Sequence, residues 1–401
     1  MDTDRRRLLV IVPDRVSDII VKGEYQPDYY NPGGLFDEVH LLMTNDDKPD
    51  PVAMQRTVGT AHLVFHNLPE RPELIGKNWR WWWKKPLRDW AAPGVELARR
   101  INPHLIRCHG ADWNSYLASR IKAKLGIPYV LSLHINPDVN PVRRFVHPSI
   151  TAEQEKHNAF FEYIERTGLR SAELVMPVYK PILPYVERMG AERVEVCYNV
   201  LNSRCLQTKS DYARGKRFRI ICVGRLNADK DPSNLIRAVA RIPDADLTIV
   251  GDGPKRAELE ALSIDLGVDE RIAFRPSIDN DELCRILPTF DLFAVHTEYW
   301  EINKSVLEAL LTGLPVVINR RHGPPVPELA DADIVHFVES SVEGYYRALS
   351  SFADDQSARE TLGRRAFEYA KRHWDPAVTT AKYVEVYRRV MQKADGRVPS
   401  H

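Results

Sequence analysis

Short, continuous runs of apolar residues recur along the whole chain and are separated by stretches with helical periodicity. Most of these runs do not alternate between apolar and polar positions, which indicates strands that are buried on both faces of a sheet. Strands that alternate with helices predict an α/β fold with parallel sheets and helices on both faces. The predicted strands are 8–13, 39–43, 62–66, 105–109, 129–134, 174–178, 194–198, 219–223, 247–250, 272–275, 292–296, 315–318 and 334–338, and the clearest helices are 232–241, 254–266, 279–287 and 303–312.

A polar stretch without periodicity, residues 201–215, separates the two sets of strands. The length of 401 residues also suits two domains of ordinary size. We therefore predict two Rossmann-like domains, over residues 1–205 and 206–375, that face a central cleft. Ligands of open parallel sheets bind beyond the carboxyl ends of the strands, so both sheets can contribute to that cleft. A last helix, within residues 376–401, has apolar residues at helical spacing and is available to pack back on the first domain.

Charge and cysteine content restrict the function classes. The chain has 56 Lys and Arg against 55 Asp and Glu, and this balance does not favour nucleic acid as a partner. The five cysteines are odd in number and include no CxxC pair, which predicts a reducing compartment without a disulfide framework or a zinc site. No apolar run approaches the roughly 20 residues that span a bilayer, and the N-terminal run is too short for a signal peptide. We expect a cytoplasmic protein, with peripheral contact at the inner membrane face left open.

The first of three motifs in the second half is residues 223–231, Val-Gly-Arg-Leu-Asn-Ala-Asp-Lys-Asp. It follows a predicted strand and leads into a predicted helix, so Gly224, Arg225 and Lys230 would lie on a loop at the cleft. Two cations five residues apart on such a loop suit a diphosphate. The alternative interpretation is a pair of solvated loop charges.

The second motif is Gly251-Asp252-Gly253-Pro254, where the next predicted strand ends. Glycine allows the backbone to approach a ligand closely, and proline suits the first turn of a helix. Gly251 and Gly253 therefore predict either a ligand-binding turn or a tight turn with no further role.

The third motif, residues 298–317, contains a loop, a helix that begins near Asn303, and Gly313 as the glycine that ends it. The N–H groups and the positive dipole end of a helix N-terminus bind phosphate well. Glu308 lies one turn into this helix, where a carboxylate could accept both hydroxyls of a ribose. The structural alternative for Glu308 is a carboxylate that stabilises the helix dipole.

Together and in this order, the three motifs resemble the retaining GT-B glycosyltransferases of family 4, the glycosyl transferases group 1. The resemblance is good over residues 219–338. It implies a GT-B fold and a hexosyltransferase-type activity on a nucleotide-diphosphate sugar donor. It also implies a glycan or lipid-linked acceptor and retention of anomeric configuration. Because no D-x-D motif lies in a suitable loop and cationic side chains can replace a metal, we expect no metal or other cofactor.

The resemblance also implies roles for individual residues. Arg225 and Lys230 would hold the donor diphosphate and stabilise the charge of the leaving group. Glu308 would hold the nucleotide ribose. Backbone amides near Lys304 and Ser305, at the start of the helix that Asn303 opens, would complete the phosphate site.

The chain departs from the family pattern at the first glutamate of the E-x7-E motif. That position, eight residues before Glu308, is Trp300. Glu301 follows directly, so we expect Glu301 to replace the first glutamate through a shifted loop, with Glu298 as the alternative.

Candidate residues in the first half are fewer. The resemblance implies a histidine that faces the donor sugar or the acceptor, and we assign this role to His134 at the end of a predicted strand. His109 is a second candidate, and either side chain could instead be a hydrogen-bonded histidine at a strand end. Gly33-Gly34 is interpreted as a turn and not as a phosphate loop, and Asn199 matches the family only weakly.

The segment 77–90 holds five of the eight tryptophans and five cations. This composition is typical of an interfacial membrane contact, and the tryptophans could equally stack on a sugar acceptor. The structural alternative is that they pack beneath a loop.

Two other functions share the predicted architecture. One is a sugar-nucleotide 2-epimerase, and the other is a non-catalytic protein that binds sugar nucleotides.

Overall fold

The computed structural model describes residues 5–21, 25–75, 84–139, 144–145, 149–202 and 204–395. These residues form two compact units. The first comprises the described residues of Met1–Ile20, Tyr25–Tyr198 and Thr380–His401, and the second comprises those of Val21–Glu24 and Asn199–Thr379. Each unit contains a parallel sheet of six strands in its described part, which confirms the predicted α/β class.

The sheet of the first unit has the strand order β3-β2-β1-β4-β5-β6. Apart from the half-buried Arg7 at the start of β1, all residues of the central strands β1, β4 and β5 are buried, as expected for strands covered on both faces. The strands are β1 (Arg7–Val12), β2 (Glu38–Met43), β3 (His62–Asn67), β4 (Leu105–His109), β5 (Tyr129–Leu133) and β6 (Leu174–Pro177). The helices are α1 (Val16–Val21), α2 (Pro51–Gln55), α3 (Lys84–Ile101), α4 (Trp113–Leu125), α5 (Ala152–Ser171) and α6 (Leu183–Met189).

The sheet of the second unit has the order β12-β11-β10-β7-β8-β9. Its strands are β7 (Phe218–Val223), β8 (Ala245–Val250), β9 (Ile272–Arg275), β10 (Leu292–Val295), β11 (Val316–Asn319) and β12 (His336–Val338). Its helices are α7 (Ser233–Ala240), α8 (Arg256–Asp265), α9 (Asn280–Ile286), α10 (Lys304–Thr312), α11 (Pro327–Ala330), α12 (Val342–Asp354) and α13 (Gln356–His373). The loops that follow β7, β8 and β10 therefore leave the same edge of the sheet, which is where the three motifs lie.

The prediction of a strand at residues 194–198 is wrong. Residues 194–198 form only an isolated bridge, from Val194 to Val175. Their backbone still runs along β6, since Glu195 N donates to Val175 O at 3.0 Å and Cys197 N donates to Pro177 O at 2.9 Å.

The last helix, α14 (Pro376–Asp395), contributes its residues from Thr380 onward to the first unit. Tyr383 and Tyr387 are buried there. The guanidinium of Arg107 lies 5.2 Å from the ring centre of Tyr383 and 5.4 Å from that of Tyr29, and its Nη1 donates to Tyr29 O at 2.6 Å. This buried arginine on β4 thus links the last helix to the sheet.

Candidate active site

The loops after β7 and β8 pack backbone against backbone. Gly224 N donates to Val250 O at 3.1 Å, and Leu226 N donates to Asp252 O at 2.9 Å. A Cβ on Gly251 would lie 2.0 Å from Gly224 O, and both Gly251 (φ 147°) and Gly253 (φ 158°) have backbone angles that favour glycine. Packing between the two loops therefore requires these glycines, whether or not a ligand also approaches them.

Lys230 ends the short helical turn Ala228–Lys230 in the loop after β7. Its Nζ lies 2.6 Å from Oε1 of Glu301, and the two side chains are only 12% and 11% exposed. The loops that carry them are joined by a backbone hydrogen bond of 2.9 Å from Glu298 N to Asp229 O. The structure thus brings the predicted diphosphate-binding lysine together with the carboxylate predicted to replace the first glutamate.

Glu298, the alternative carboxylate, points elsewhere. Its Oε1 lies 3.0 Å from Nε2 of His296, and its side chain is 60% exposed. Of the two glutamates, it is Glu301 that contacts Lys230.

Asn303 precedes the first turn of α10 but makes no side-chain capping bond to it. With its amide nitrogen facing the carboxylate, Asn303 donates to Glu301 at 2.5 Å and 3.3 Å. Glu301 is therefore held by an ammonium and an amide at the N-terminal end of α10.

The other predicted donor residues are placed as follows. Ser305 donates its hydroxyl to Val223 O at 3.3 Å, and Lys304 begins α10 with a half-buried side chain. Arg225 is exposed and makes no hydrogen bond or ion pair with the described residues. Its charge lowers the pKa of Tyr299, although burial and the carboxylates of Glu301 and Asp229 raise that pKa overall.

Glu308 is almost fully buried within α10. It accepts a hydrogen bond of 2.5 Å from Nδ2 of Asn280, the first residue of α9. Asn280 is not among the residues predicted from the sequence, because its contact with Glu308 joins residues 28 positions apart. Asn280 lies shortly after β9, at the same edge of the sheet, and this position is the feature of the sequence from which it could have been predicted.

Trp300 explains the departure from the E-x7-E motif. Its indole is buried, donates from Nε1 to Gly323 O at 3.2 Å, and meets the ring of Phe337 edge-on at 5.7 Å. Trp300 therefore anchors the loop after β10 to the segment after β11 and to β12, and the next residue, Glu301, reaches Lys230.

Arg321 is a second residue of the candidate site that was not predicted from the sequence. Its guanidinium carbon lies 4.7 Å from the ring centre of Trp300, and its Nε donates to Thr297 O at 2.9 Å. Burial lowers the pKa of Arg321 to about 10, and the Glu301 carboxylate opposes this shift more than any other charge. The guanidinium is therefore still cationic at neutral pH. Arg321 is the second residue after β11, at the carboxyl edge of the sheet, and this position is the feature of the sequence from which it could have been predicted.

In the first unit, His134 lies directly after β5 and is half-buried. Its ring stacks on that of His109, with 5.6 Å between centres and 3° between planes. His109 also contacts the rings of Tyr29 at 5.6 Å and Tyr30 at 5.5 Å. The two candidate histidines are therefore neighbours in one aromatic cluster.

Residues 77–83 of the tryptophan-rich segment lie outside the described residues. Trp90 is buried, donates from Nε1 to Pro69 O at 2.8 Å, and packs edge-on against Trp113 at 4.8 Å. The prediction that this segment contacts a membrane or an acceptor is wrong for Trp90, which belongs to the core. Among the described helices, none combines the length and the apolar character needed to cross a bilayer. The described residues also contain no cluster of three or more His, Cys, Asp or Glu side chains suited to a metal ion.

Family models match both halves of the chain. The model described as "Glycosyl transferase 4-like domain" matches residues 34–199, and the model described as "Glycosyl transferases group 1" matches residues 207–369. The second match contains all three motifs.

Curated relatives are similar over part of their length. The 2-deoxystreptamine glucosyltransferase of Streptomyces kanamyceticus is 30% identical over 268 residues, which are 61% of this chain and 65% of that protein. A lipopolysaccharide core biosynthesis glycosyltransferase of Rhizobium meliloti, LpsE, is 30% identical over 168 residues, or 42% of this chain and 48% of that protein. The chain thus spans less than two thirds of the length of these relatives.

Solved structures share the fold over nearly the whole chain. Sucrose-phosphate synthase from Thermosynechococcus elongatus has a TM-score of 0.71 at 16% identity, with 97% of this chain and 100% of that chain covered. HepE of Anabaena, in complex with UDP and glucose, has a TM-score of 0.68 at 16% identity, with 94% and 98% covered.

Proposed function

We propose that this chain, which belongs to the glycosyl transferases group 1, the family-4 glycosyltransferases of GT-B fold, moves a sugar from a nucleotide-diphosphate sugar to an acceptor hydroxyl. The observation that carries this proposal is the 2.6 Å pair of Lys230 and Glu301 beside the first turn of α10. It joins a cation for the diphosphate to a carboxylate for the sugar, next to N–H groups that suit phosphate.

The reaction breaks the bond between the anomeric carbon and the diphosphate oxygen and forms a bond from the same carbon to the acceptor oxygen. The leaving diphosphate gains negative charge as its bond breaks. Arg225, Lys230 and the first turn of α10 at Lys304 and Ser305 stabilise that charge, which is electrostatic catalysis. These cations take the place of a metal ion. The acceptor attacks on the face that the diphosphate leaves, so the anomeric configuration is retained, and the acceptor proton is lost to solvent or to the leaving phosphate.

The remaining roles concern recognition. Glu308 accepts the ribose hydroxyls, Glu301 accepts hydroxyls of the donor sugar, and His134 faces the donor sugar or the acceptor. The acceptor is a glycan or a lipid-linked acceptor such as a glycolipid. The similarity to a lipopolysaccharide core glycosyltransferase supports this choice. Peripheral contact of the segment 77–90 with a membrane, without the buried Trp90, is part of this proposal.

Neither alternative function is retained. The family models and the curated relatives named above are glycosyltransferases, which does not favour an epimerase. The substitution of Trp300 for a glutamate was the main support for a non-catalytic binder. With Glu301 on Lys230, a carboxylate is available in the same loop, and this favours transfer.

The test is calorimetric titration, without metal, of UDP-, GDP- and ADP-sugars into the wild type and the Arg225→Ala/Lys230→Ala variant. We expect tight binding of one donor by the wild type and a loss of roughly 100-fold or more in the variant, since two charged contacts are removed. The Arg364→Ala/Arg365→Ala variant, which loses two cations on α13, is the matched control and should bind like the wild type. Absence of binding to every donor by a wild type with a cooperative melting transition would refute the proposal.

A further inference from the structure

The loop between β10 and α10 is fixed by an arginine. Arg321 stacks on Trp300 at 4.7 Å and bonds to Thr297 O at 2.9 Å, so it holds the loop on both sides of Glu298. These contacts use the face of the guanidinium and its Nε. The planar geometry of arginine leaves the two terminal nitrogens for a further acceptor.

One of these terminal nitrogens, Nη1, is shielded from solvent and has no hydrogen-bond partner among the described residues. A buried donor without an acceptor is costly, and the cost is larger for a charged group. Because Nη1 is shielded from solvent, a neighbouring side chain is the natural acceptor for it. Glu301 is the group whose charge acts most strongly on Arg321, ahead of Tyr345, Glu298 and Tyr299.

Glu301 has a different partner in this structure, since its carboxylate lies on Lys230 at 2.6 Å. A diphosphate that binds Lys230 competes with that carboxylate, because the two anions repel each other across one ammonium. Glu301 must then leave Lys230 or keep its charge poorly compensated, which is unfavourable for a buried carboxylate.

We propose that Arg321 is a positioning residue that receives the Glu301 carboxylate when the donor diphosphate engages Lys230. This inference rests on the proposed function, because it requires a diphosphate at Lys230. The side chain of Glu301 would exchange one cation for another within the anchored loop, and no proton or covalent bond is transferred. Arg321 thereby lowers the cost of donor binding without touching the donor.

The exchange is tested by a double-mutant cycle on affinity for a nucleoside diphosphate, with UDP, GDP or ADP chosen as the one that the wild type binds. In the wild-type background, Arg321→Met should weaken binding roughly tenfold, since Glu301 then has only Lys230 as a cation. In the Glu301→Gln background, the same substitution should change the affinity by less than twofold. Arg321→Lys keeps the charge without the planar fork and should give an intermediate loss in the wild-type background.

Arg320→Met is the matched control. The guanidinium of Arg320 lies 5.6 Å from the ring centre of Phe337. The control therefore also removes an arginine from an aromatic face, at the position directly before Arg321. We expect wild-type affinity for this variant in both backgrounds.

Equal weakening by Arg321→Met in both backgrounds would overturn the inference, because it would mean a purely structural role or direct contact with the diphosphate. If Arg321→Met does not fold, Arg321→Lys decides, and a loss that is independent of Glu301 has the same meaning. Failure of the proposed function gives a different result, namely a folded wild type that binds none of the three nucleoside diphosphates.

Discussion

Substitution of Glu301 by glutamine should tighten the binding of a nucleoside diphosphate while it impairs sugar transfer. In this structure the Glu301 carboxylate occupies Lys230 at 2.6 Å, so it competes with the diphosphate for the same ammonium. Glutamine keeps the size of the side chain and removes the charge. Lys230 is then free to bind the diphosphate without first losing an ion pair.

The size of the effect follows from the exposure of the pair. Fully exposed ion pairs contribute up to about 1 kcal/mol, and charged hydrogen bonds that are better shielded contribute roughly 1.5–3 kcal/mol. The side chains of Lys230 and Glu301 are 12% and 11% exposed, which places the pair between these cases. Part of the cost of separating them is recovered by other contacts of Glu301, so we take a net gain of about 1 kcal/mol, or roughly fivefold in affinity.

The assay is calorimetric titration of UDP, GDP and ADP without metal into the wild type and Glu301→Gln, together with turnover of the matching sugar nucleotide. Glu298→Gln is the control, because it makes the same chemical change in the same loop at a side chain that is 60% exposed and bonded to His296. We expect the control to bind within twofold of the wild type. An unchanged or weaker affinity in Glu301→Gln would refute the competition between carboxylate and diphosphate.

Three further predictions concern single positions. Glu308→Gln should weaken nucleotide binding about tenfold, because a charged hydrogen bond to the nucleotide is lost. The melting temperature should change little, because the glutamine amide oxygen can still accept from Asn280, and a large drop in melting temperature would mean a structural role. Gly253→Ala should destabilise the second unit by about 2–3 kcal/mol in urea unfolding, because its Cβ would lie 2.2 Å from Leu226 O, whereas Gly215→Ala, which meets nothing within 4 Å, should not. Burial lowers the pKa of His66 to about 4, so the folded state resists protonation and its stability should fall as the pH decreases from about 6.5 toward 4. In the His66→Gln variant the urea midpoint should depend less steeply on pH, and an unchanged slope would contradict the prediction.

The fold was predictable because most strands are buried on both faces. Continuous apolar runs such as those in β1 and β10 are typical of strands that are covered on both faces of a parallel sheet. The failure at residues 194–198 has a local cause. Their apolar pattern places them beside β6, where they make alternate backbone hydrogen bonds, but pattern alone does not determine whether such a segment forms a full ladder.

The candidate site was predictable where one short segment carries both the geometry and the chemistry. Lys230 and Glu301 were predicted from the loops that carry them, and the structure places their side chains in contact, while their roles toward a donor stay predictions. Asn280 and Arg321 were not identified, because each acts through a contact with a distant part of the chain. The composition of the segment 77–90 led to a wrong prediction for Trp90. A tryptophan among cations can still face the core when it lies on the buried side of an amphipathic helix, as Trp90 does in α3.

The substitution of Trp300 for the expected glutamate shows why motif spacing alone does not locate a carboxylate. Trp300 and Glu301 are adjacent, yet their side chains contact different parts of the unit, the indole at Gly323 and Phe337 and the carboxylate at Lys230. In this loop a glutamate at position 300 would face an aromatic ring and an arginine, not Lys230. The path of the loop therefore decides which residue contacts Lys230, and the anchoring of the indole helps to set that path. The proposed role of Glu301 is therefore compatible with a spacing one residue short of the family pattern, because its contact with Lys230 depends on the path of the loop and not on spacing alone.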